Sequence, residues 1–418
     1  MRQSKLDTSI PVVVLGTGNH GSLAIVRSLG SLGVAVYVVE ARRFAPSRFS
    51  RLCRGGFQWD LRSASAKDSV AFLTTLAVTL RSRPILIPAS DHAALFVVDH
   101  AQDLAAHYLF PAQSAQLSHA LINKNQMFQL ASRHAVPTPY TIRPESKQEL
   151  LDVLGTCHYP LIIKADSSGG EPAKPKSIVR SQSEFWEKYD RGLIPDAFRF
   201  VVQEYIPGHE DTTWMFNGYF NHRSECLFGM TGQKLRQCPV DTGPACLAVC
   251  LPNEAVRQTT LRFAEAIDYK GILDIDYRYD ERDRQYKIVD FNPRIGSSFR
   301  LFLDTNGMDV ARAMYSDLTG QEVRVAEAIP GRKWIVEDRD LVSSFHYFRD
   351  GNLLIAEWLR SYRGLRELSW VSFTDPLPAF AMLASDVRKL PARLQKRAGS
   401  LDQPLHFATG DHSQRIGR

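Results

Sequence analysis

Residues 271–298 read GILDIDYRYDERDRQYKIVDFNPRIGSS, and this stretch decides the fold. Its alternation of apolar and polar residues predicts two antiparallel strands joined by the charged turn 280–284. Asp276 lies on the first strand, and Asp290 and Asn292 lie on the second. Because side chains alternate between the faces of a strand, Asp290 and Asn292 share a face, and Asp276 lies within cross-strand reach of them.

A cluster of carboxylate and amide oxygens without imidazole or thiolate suits Mg²⁺, with Mn²⁺ as a substitute. Asp274 shares the strand face of Asp276 and is left open as a further ligand. The alternative is an acidic, solvated hairpin. The apolar Val289 and Phe291, which alternate with the polar residues, and the Asn-Pro-Arg exit at 292–294 favour the metal site.

Two lysines upstream of the hairpin are candidates for phosphate binding. Lys164 ends the apolar strand 160–164, and Lys124 lies in a predicted helix. A buried ammonium group is costly unless it neutralises negative charge, and a triphosphate needs such compact donors before a carboxylate can approach it. Further along, Lys174 and Lys176 either add charge at the phosphates or belong to an exposed charged loop.

Taken in order, these segments resemble the ATP-grasp superfamily over about residues 12–320. The resemblance is to its carboxylate–amine ligases and to short proteins similar to the carbamoyl-phosphate-synthase large subunit. It implies that Asp276, Asp290 and Asn292 hold the metal. It also implies a set of ATP contacts. In that set the glycine loop would cover the phosphates, residues 204–206 would bind the adenine, and Glu210 would bind the ribose. The residues are Lys124, Lys164, Ser168, Gly169, Gly170, Glu204, Tyr205, Ile206 and Glu210.

Three basic residues are candidates for the catalytic step. The guanidinium of Arg294 matches the charge of a transferring phosphoryl group. Lys234 and Arg236 lie in the run 233–237, which resembles the segment where related enzymes meet the γ-phosphate or the acid substrate. An ordinary basic hairpin is the alternative for these two.

A glycine-rich loop near the N-terminus suggests a different chemistry. Residues 16–21 fit GxGxxG, follow the strand 12–15 and open a helix, and Glu40 stands at the end of the next strand. That context is typical of dinucleotide binding and, taken alone, favours an NAD(P)-dependent oxidoreductase. The rest of the chain offers no acid/base set for hydride transfer, so we interpret the loop as scaffold.

The predicted fold class is α/β and α+β. A Rossmann-like preATP-grasp domain over 1–115 precedes an ATP-grasp domain over 116–325. The latter divides into a nucleotide-clamping subdomain, about 130–205, and a metal-binding subdomain, about 206–325. A C-terminal region with a basic, flexible tail occupies 326–418.

Composition narrows the function classes. The 418 residues are 44% hydrophobic and 23% charged with a net charge of +6, and basic residues form no block that predicts a nucleic-acid partner. No apolar segment has the length of a signal-peptide core or membrane span, so a cytoplasmic location is expected. The six cysteines lack metal-ligand spacing and are read as reduced thiols. The segment 380–397 has an apolar start and a basic end, and ordinary packing is favoured there over a membrane-surface role.

The resemblance implies an ADP-forming ligase that activates a small carboxylate as an acyl phosphate for attack by an amine. Its cofactors would be ATP and Mg²⁺, and a homodimer is left open. The alternatives are a biotin-dependent carboxylase component of the same class, the oxidoreductase and a non-catalytic ATP-binding module. Whether His20, Asp91 and His92, at the ends of predicted parallel strands, contact substrate also stays open.

Overall fold

Three β-sheets carry the strands of the part of the chain that the structure describes, and the sites of interest lie where the sheets meet. The fold is taken from a computed structural model, which describes residues 6–165, 176–195, 199–208 and 210–385. Within these residues, no helix is both long and apolar enough to cross a membrane.

The first sheet is parallel, with the strand order β3-β2-β1-β4. Its central strand is fully buried because it is the apolar run VVVL. The edge strand β3 was not predicted, since its sequence CRGGFQ lacks an apolar pattern. The elements are β1 (Val12–Leu15), α1 (His20–Gly30), β2 (Val36–Glu40), β3 (Cys53–Gln58), α2 (Ala66–Leu80), β4 (Ile85–Pro88), α3 (Asp91–Asp99) and α4 (Ala101–Leu104).

Two helices lead into a small antiparallel sheet of order β5-β8-β6-β7. This sheet and its helices bury their own apolar cluster, which includes Leu154, Ile163 and Phe185. The elements are α5 (Ala115–Ile122), α6 (Lys124–Arg133), β5 (Thr141–Ile142), α7 (Lys147–Thr156), β6 (Leu161–Ala165), β7 (Ser177–Val179), α8 (Gln182–Asp190) and β8 (Phe200–Glu204).

The third sheet has the order β13-β12-β9-β10-β11-β14-β15. Its last two strands come from the segment predicted as a separate C-terminal region, so that segment extends the sheet of the metal-binding hairpin. The elements are β9 (Thr213–Phe220), β10 (Cys226–Gln237), β11 (Ala245–Cys250), α9 (Glu254–Ala266), β12 (Gly271–Asp280), β13 (Gln285–Asn292), α10 (Val310–Leu318), β14 (Lys333–Ile335), α11 (Glu337–Arg349), α12 (Ile355–Ser361) and β15 (Leu365–Leu368). The predicted mixture of α/β and α+β architecture is confirmed.

One apolar core joins the first sheet to the third, with Leu23 and Val26 of α1 packed in the same cluster as Phe302 and Met314. The glycine loop lies at this junction. A Cβ at Gly21 would stand 3.1 Å from Ser297 Cβ, so a glycine allows the two segments to approach closely. Glu40 is 1% exposed and accepts from Ser47 Oγ at 2.8 Å, which satisfies one carboxylate oxygen within the fold.

His20, the first residue of α1, is buried at the same junction. Its ring centroid lies 5.8 Å from that of Trp334 and 5.6 Å from that of Trp370. Neither ring nitrogen has a hydrogen-bond partner among the residues that the structure describes. Burial lowers the pKa of His20 to about 3, because the charged imidazolium would lose its hydration.

We expect this histidine to destabilise the fold in mild acid. As the pH falls below about 6.5, the unfolded chain takes up a proton on this residue and the folded chain does not. Stability is therefore lost, by about 2 kcal/mol between about pH 7 and about pH 5. His20→Phe should remove that part of the pH dependence, measured as urea unfolding followed by tryptophan fluorescence. His222→Phe, on an exposed turn, is the control; an unchanged slope for His20→Phe would contradict the account.

Candidate active site

The hairpin of β12 and β13 brings its acidic residues together across the two strands, as predicted, and its register shifts between Asp276 and Tyr277. Asp276 stands directly opposite Asp290, and Asp274 stands opposite Asn292. Cross-strand neighbours on one face lie about 5 Å apart at Cβ. The two carboxylates of the hairpin therefore share one location.

Each of these two carboxylates binds a lysine from another element. Asp290 accepts a hydrogen bond from Lys124, the first residue of α6. Asp276 Oδ2 accepts from Lys234 Nζ of β10 at 2.6 Å. The helix begins at Lys124 because the side chain of Asn123 caps its first turn, and this start places the ammonium group against the hairpin.

Two further lysines reach the same location from the small sheet. Lys164 of β6 is 4% exposed, and its Nζ donates to the carbonyl oxygen of Val289 at 2.8 Å. Lys176 precedes β7 and lines the same cleft. Burial, and then the charge of Lys176, holds the pKa of Lys164 well below its usual range. Burial likewise lowers the pKa of Lys176, so the neighbouring carboxylates do not fully compensate these two cations.

The electrostatics of the cleft favour an anion. Burial alone would raise the pKa of Asp290, but Lys124, Lys176 and Lys164 outweigh it and hold this pKa below its usual range. Four lysines, at positions 124, 164, 176 and 234, face the two carboxylates of Asp276 and Asp290, and Asp274 adds a third carboxyl group beside them. A cleft of this sign raises the local concentration of anionic ligands.

The cleft runs between the small sheet and the third sheet. Its walls come from β6, β8 and the segment that follows β8, and on the other side from β10, β12 and β13. Tyr205 lies under the guanidinium of Arg278, 5.2 Å from it. Glu204 pairs with Arg282 at 2.7 Å. The lining includes Ile162, Lys164, Lys176, Gln203, Glu204, Tyr205, Ile206, Lys234, Asp276, Arg278 and Val289.

Arg294 connects the hairpin to the first sheet. Its Nε donates to Asp91 Oδ1 at 2.5 Å, and its Nη2 donates to Asn292 Oδ1 at 3.3 Å. Asp91 opens α3, directly after the carboxyl end of β4. The guanidinium is thus held where all three sheets approach one another, at the edge where open parallel sheets bind ligands.

The predicted metal ligands are two carboxylates and one amide. In the ranges that the structure describes, no group of three His, Cys, Asp or Glu side chains is arranged to hold a metal ion. Asn292 Nδ2 donates to the carbonyl oxygen of Asp274 at 3.3 Å. This bond fixes the orientation of the Asn292 amide on the hairpin face that carries Asp290. The donor set matches a hard cation that keeps several positions for water and phosphate oxygens.

Arg236 was a candidate for the catalytic step, and the structure places it elsewhere. It makes two bonds to Asp340 of α11, at 2.8 and 3.0 Å, and both side chains are buried. The β10–β11 register shifts on both sides of Arg236, which breaks the alternation that would have put it beside Lys234. We therefore leave Arg236 out of the site as a correction of the sequence-based interpretation.

Four predicted ATP contacts lie, as whole residues or by their side chain, outside the description. Ser168, Gly169 and Gly170 lie outside the described residues. The backbone of Glu210 belongs to a short turn over Glu210–Thr212, and its side chain lies outside the description. Their roles remain predictions.

The sequence alone did not single out Arg278 or Asp91 as part of this arrangement. Arg278 follows Asp276 by two positions on β12 and lines the cleft, so strand alternation could have found it. Asp91 belongs to the site through its contact with Arg294. The two residues are more than 200 positions apart in the sequence, and local spacing gives no signal for such a contact. Lys176, for which the sequence favoured an exposed charged loop, also lines the cleft.

Comparisons with known proteins bear on this arrangement. No family model matches the chain. A D-aspartate ligase of Enterococcus faecium is 26% identical over 301 residues, which cover 66% of this chain and 68% of that protein. An N5-carboxyaminoimidazole synthetase of Staphylococcus aureus, solved with ADP, superposes with a TM-score of 0.63 at 12% identity, covering 83% of this chain and 88% of that one. An L-amino acid ligase of Bacillus licheniformis gives a TM-score of 0.58 at 14% identity, with coverage of 78% and 79%.

The chain has the ATP-grasp fold, which confirms the recognition made from the hairpin and the lysines. Two of these similar proteins, the D-aspartate ligase and the L-amino acid ligase, are ligases by name, and they support the predicted ligase class. None of the three is an oxidoreductase, so the interpretation of the glycine loop as scaffold is favoured.

The buried pair of Arg236 and Asp340 gives a prediction about stability. Arg236→Met should leave Asp340 as an unpaired buried charge and lower the unfolding free energy by about 3 to 5 kcal/mol. Arg349→Met is the control, because Arg349 is 62% exposed and pairs with an exposed Asp350; its effect should stay below about 1 kcal/mol. If Arg236→Met kept full stability and lost ATP turnover, Arg236 would return to the catalytic site.

Proposed function

We propose that this chain is an ADP-forming carboxylate–amine ligase whose active site is the cleft between the small sheet and the third sheet. The observation that carries the proposal is the convergence of Lys124, Lys164, Lys176 and Lys234 on Asp276 and Asp290. Buried cations in excess of buried carboxylates are costly without an anionic ligand. A nucleoside triphosphate supplies several negative charges in the required place.

The two ends of the cleft differ in the way that ATP requires. At one end, Tyr205 and Ile206 follow β8 with an apolar wall from Ile162, which suits a flat base. At the other end, the lysines and the acidic hairpin suit the phosphates. The ATP would therefore lie along the cleft with its γ-phosphate toward Asp276, Asp290 and Arg294.

A divalent cation fits this hairpin by its donor chemistry. Asp276, Asp290 and Asn292 would hold Mg²⁺, and Mn²⁺ could replace it because both accept hard oxygen ligands. When bound, the ion would neutralise phosphate charge that the lysines leave uncompensated. Asp274 lies beside this set, and its Oδ1 accepts from Asn217 Nδ2 at 3.4 Å; burial together with Asp276 raises its pKa.

The reaction follows from charge placement. The substrate carboxylate oxygen attacks the γ-phosphorus, the bond to the β-phosphate oxygen breaks, and ADP leaves. Lys164, Lys234 and Arg294 would stabilise the charge spread over the transferring phosphoryl oxygens. A neutral amine then attacks the acyl carbon, its proton is released, and inorganic phosphate departs as the amide forms. No protein nucleophile is needed.

We further propose that at least one of the two organic substrates is an amino acid. Support comes from the D-aspartate ligase and from the L-amino acid ligase with the same fold. The junction of Arg294 and Asp91, between the hairpin and the first sheet, offers one cation and one carboxylate side by side. These are the partners that an α-carboxylate and an α-ammonium group require.

Turnover tests this proposal. Purified chain with Mg²⁺ and ATP should release ADP when supplied with an amino acid and an amine, and mass spectrometry should detect the condensed product. D-aspartate and the common L-amino acids come first in the panel. Asp290→Asn should lower kcat/KM by at least about 100-fold, because it removes a carboxylate that would hold the Mg²⁺ at the phosphates.

Asp283→Asn is the matched control, since Asp283 lies at the far end of the same hairpin and pairs with Lys287. It should keep turnover close to that of the wild type. ATP binding without ADP release across the panel would favour a non-catalytic module. Full activity in Asp290→Asn would show that the hairpin is not the catalytic metal site.

A further inference from the structure

A second surface, lined by residues other than those of the charged cleft, combines exposed aromatic rings with arginines. Arg42, Arg43, Phe44 and Phe49 follow β2, and Leu377 and Phe380 come from the C-terminal segment. Together with Ala381, Ala384 and Ser385 they line an open groove of about 520 Å³. We call it the Arg-Phe surface. Phe44 is 52% exposed and Phe380 is 66% exposed, which is unusual for side chains of this size.

The Arg-Phe surface is built on fixed supports. The rings of Phe44 and Phe49 stack 6.4 Å apart at an angle of 10°, and the Arg43 guanidinium lies 5.7 Å over the Phe44 ring. The C-terminal side is held by Asp375, which is 2% exposed. It accepts from Arg27 Nε at 2.9 Å and from Ser50 Oγ at 2.8 Å. This anchor joins the two chain segments that form the surface.

The charge of the surface has one sign. Its lining, as far as the structure describes it, contains two guanidinium groups and no carboxylate. In the sequence, the next twelve residues, 386–397, read DVRKLPARLQKR and hold five basic residues against one acidic residue. The partner that fits must therefore offer apolar contact and negative charge together.

We propose that the Arg-Phe surface docks on an anionic lipid bilayer. Aromatic rings and leucine side chains enter the boundary between headgroups and acyl chains, while arginines remain at the phosphates. The guanidinium of Arg42 would also lie 3.8 Å from a Cβ built on Gly18, so the surface adjoins the carboxyl edge of the first sheet. Docking would place that edge beside the membrane.

Co-sedimentation of the full chain with vesicles tests the proposal. Vesicles of phosphatidylcholine with about one third phosphatidylglycerol should pellet the chain. Pure phosphatidylcholine should bind it roughly tenfold less, and added salt should weaken the anionic binding. The double variants Phe44→Ser with Phe380→Ser and Arg42→Glu with Arg43→Glu should each lose binding by about tenfold or more.

Leu341→Ser with Phe345→Ser is the matched control. These side chains are 60% and 65% exposed on α11, away from the Arg-Phe surface, and their loss should leave vesicle binding unchanged. Unaltered melting temperatures would show that all variants fold.

Four results would overturn the proposal. The wild-type chain could stay in the supernatant, or the α11 control could lose binding as fully as the Arg-Phe variants. The Arg-Phe variants could pellet like the wild type, which would assign binding to other parts of the chain. Concentration-dependent dimers abolished by Phe380→Ser would assign the surface to a second copy of the chain.

Discussion

The excess of ammonium groups over carboxylates in and beside one cleft is the constraint on which the rest of the structure depends. Lys124 ties α6 to the acidic hairpin, Lys164 ties the small sheet to the backbone of Val289, and Lys234 ties β10 to Asp276. The contacts that join the small sheet to the third sheet are therefore also those that would bind phosphates. A polyanion bound in the cleft would offset the repulsion among these lysines.

The first sheet contributes through its junction with the other two. Its glycine loop packs closely against Ser297, and its buried Glu40 accepts a hydrogen bond from Ser47. The carboxyl edge of the sheet instead offers Asp91, which holds Arg294. A fold that resembles a dinucleotide-binding unit thus serves to position a guanidinium beside the hairpin of another sheet. The C-terminal segment adds strands β14 and β15 and closes the apolar core over His20 with Trp334 and Trp370.

Features with a local pattern could be predicted from the sequence, and features that depend on distant partners could not. The alternation around Asp276 and Asp290 gave the hairpin and its register, and the apolar run before Lys164 gave a buried strand lysine. Strand β3 was not predicted because an edge strand needs no apolar face. Arg236 was misplaced because a register shift turned it toward Asp340, and a bulge leaves no mark in the pattern of residue types. Asp91 could be listed as a candidate, but only folding shows its contact with Arg294.

The central claim is that a substrate carboxylate attacks the γ-phosphate of ATP in the lysine-lined cleft. Oxygen-18 in the substrate carboxylate tests this step directly, since the acyl phosphate pathway transfers one carboxylate oxygen to the released phosphate. We predict that phosphate from complete turnover carries one labelled oxygen in the wild-type chain. Unlabelled phosphate accompanied by amide product would contradict the account, because it would mean that the carboxylate was not activated by phosphorylation.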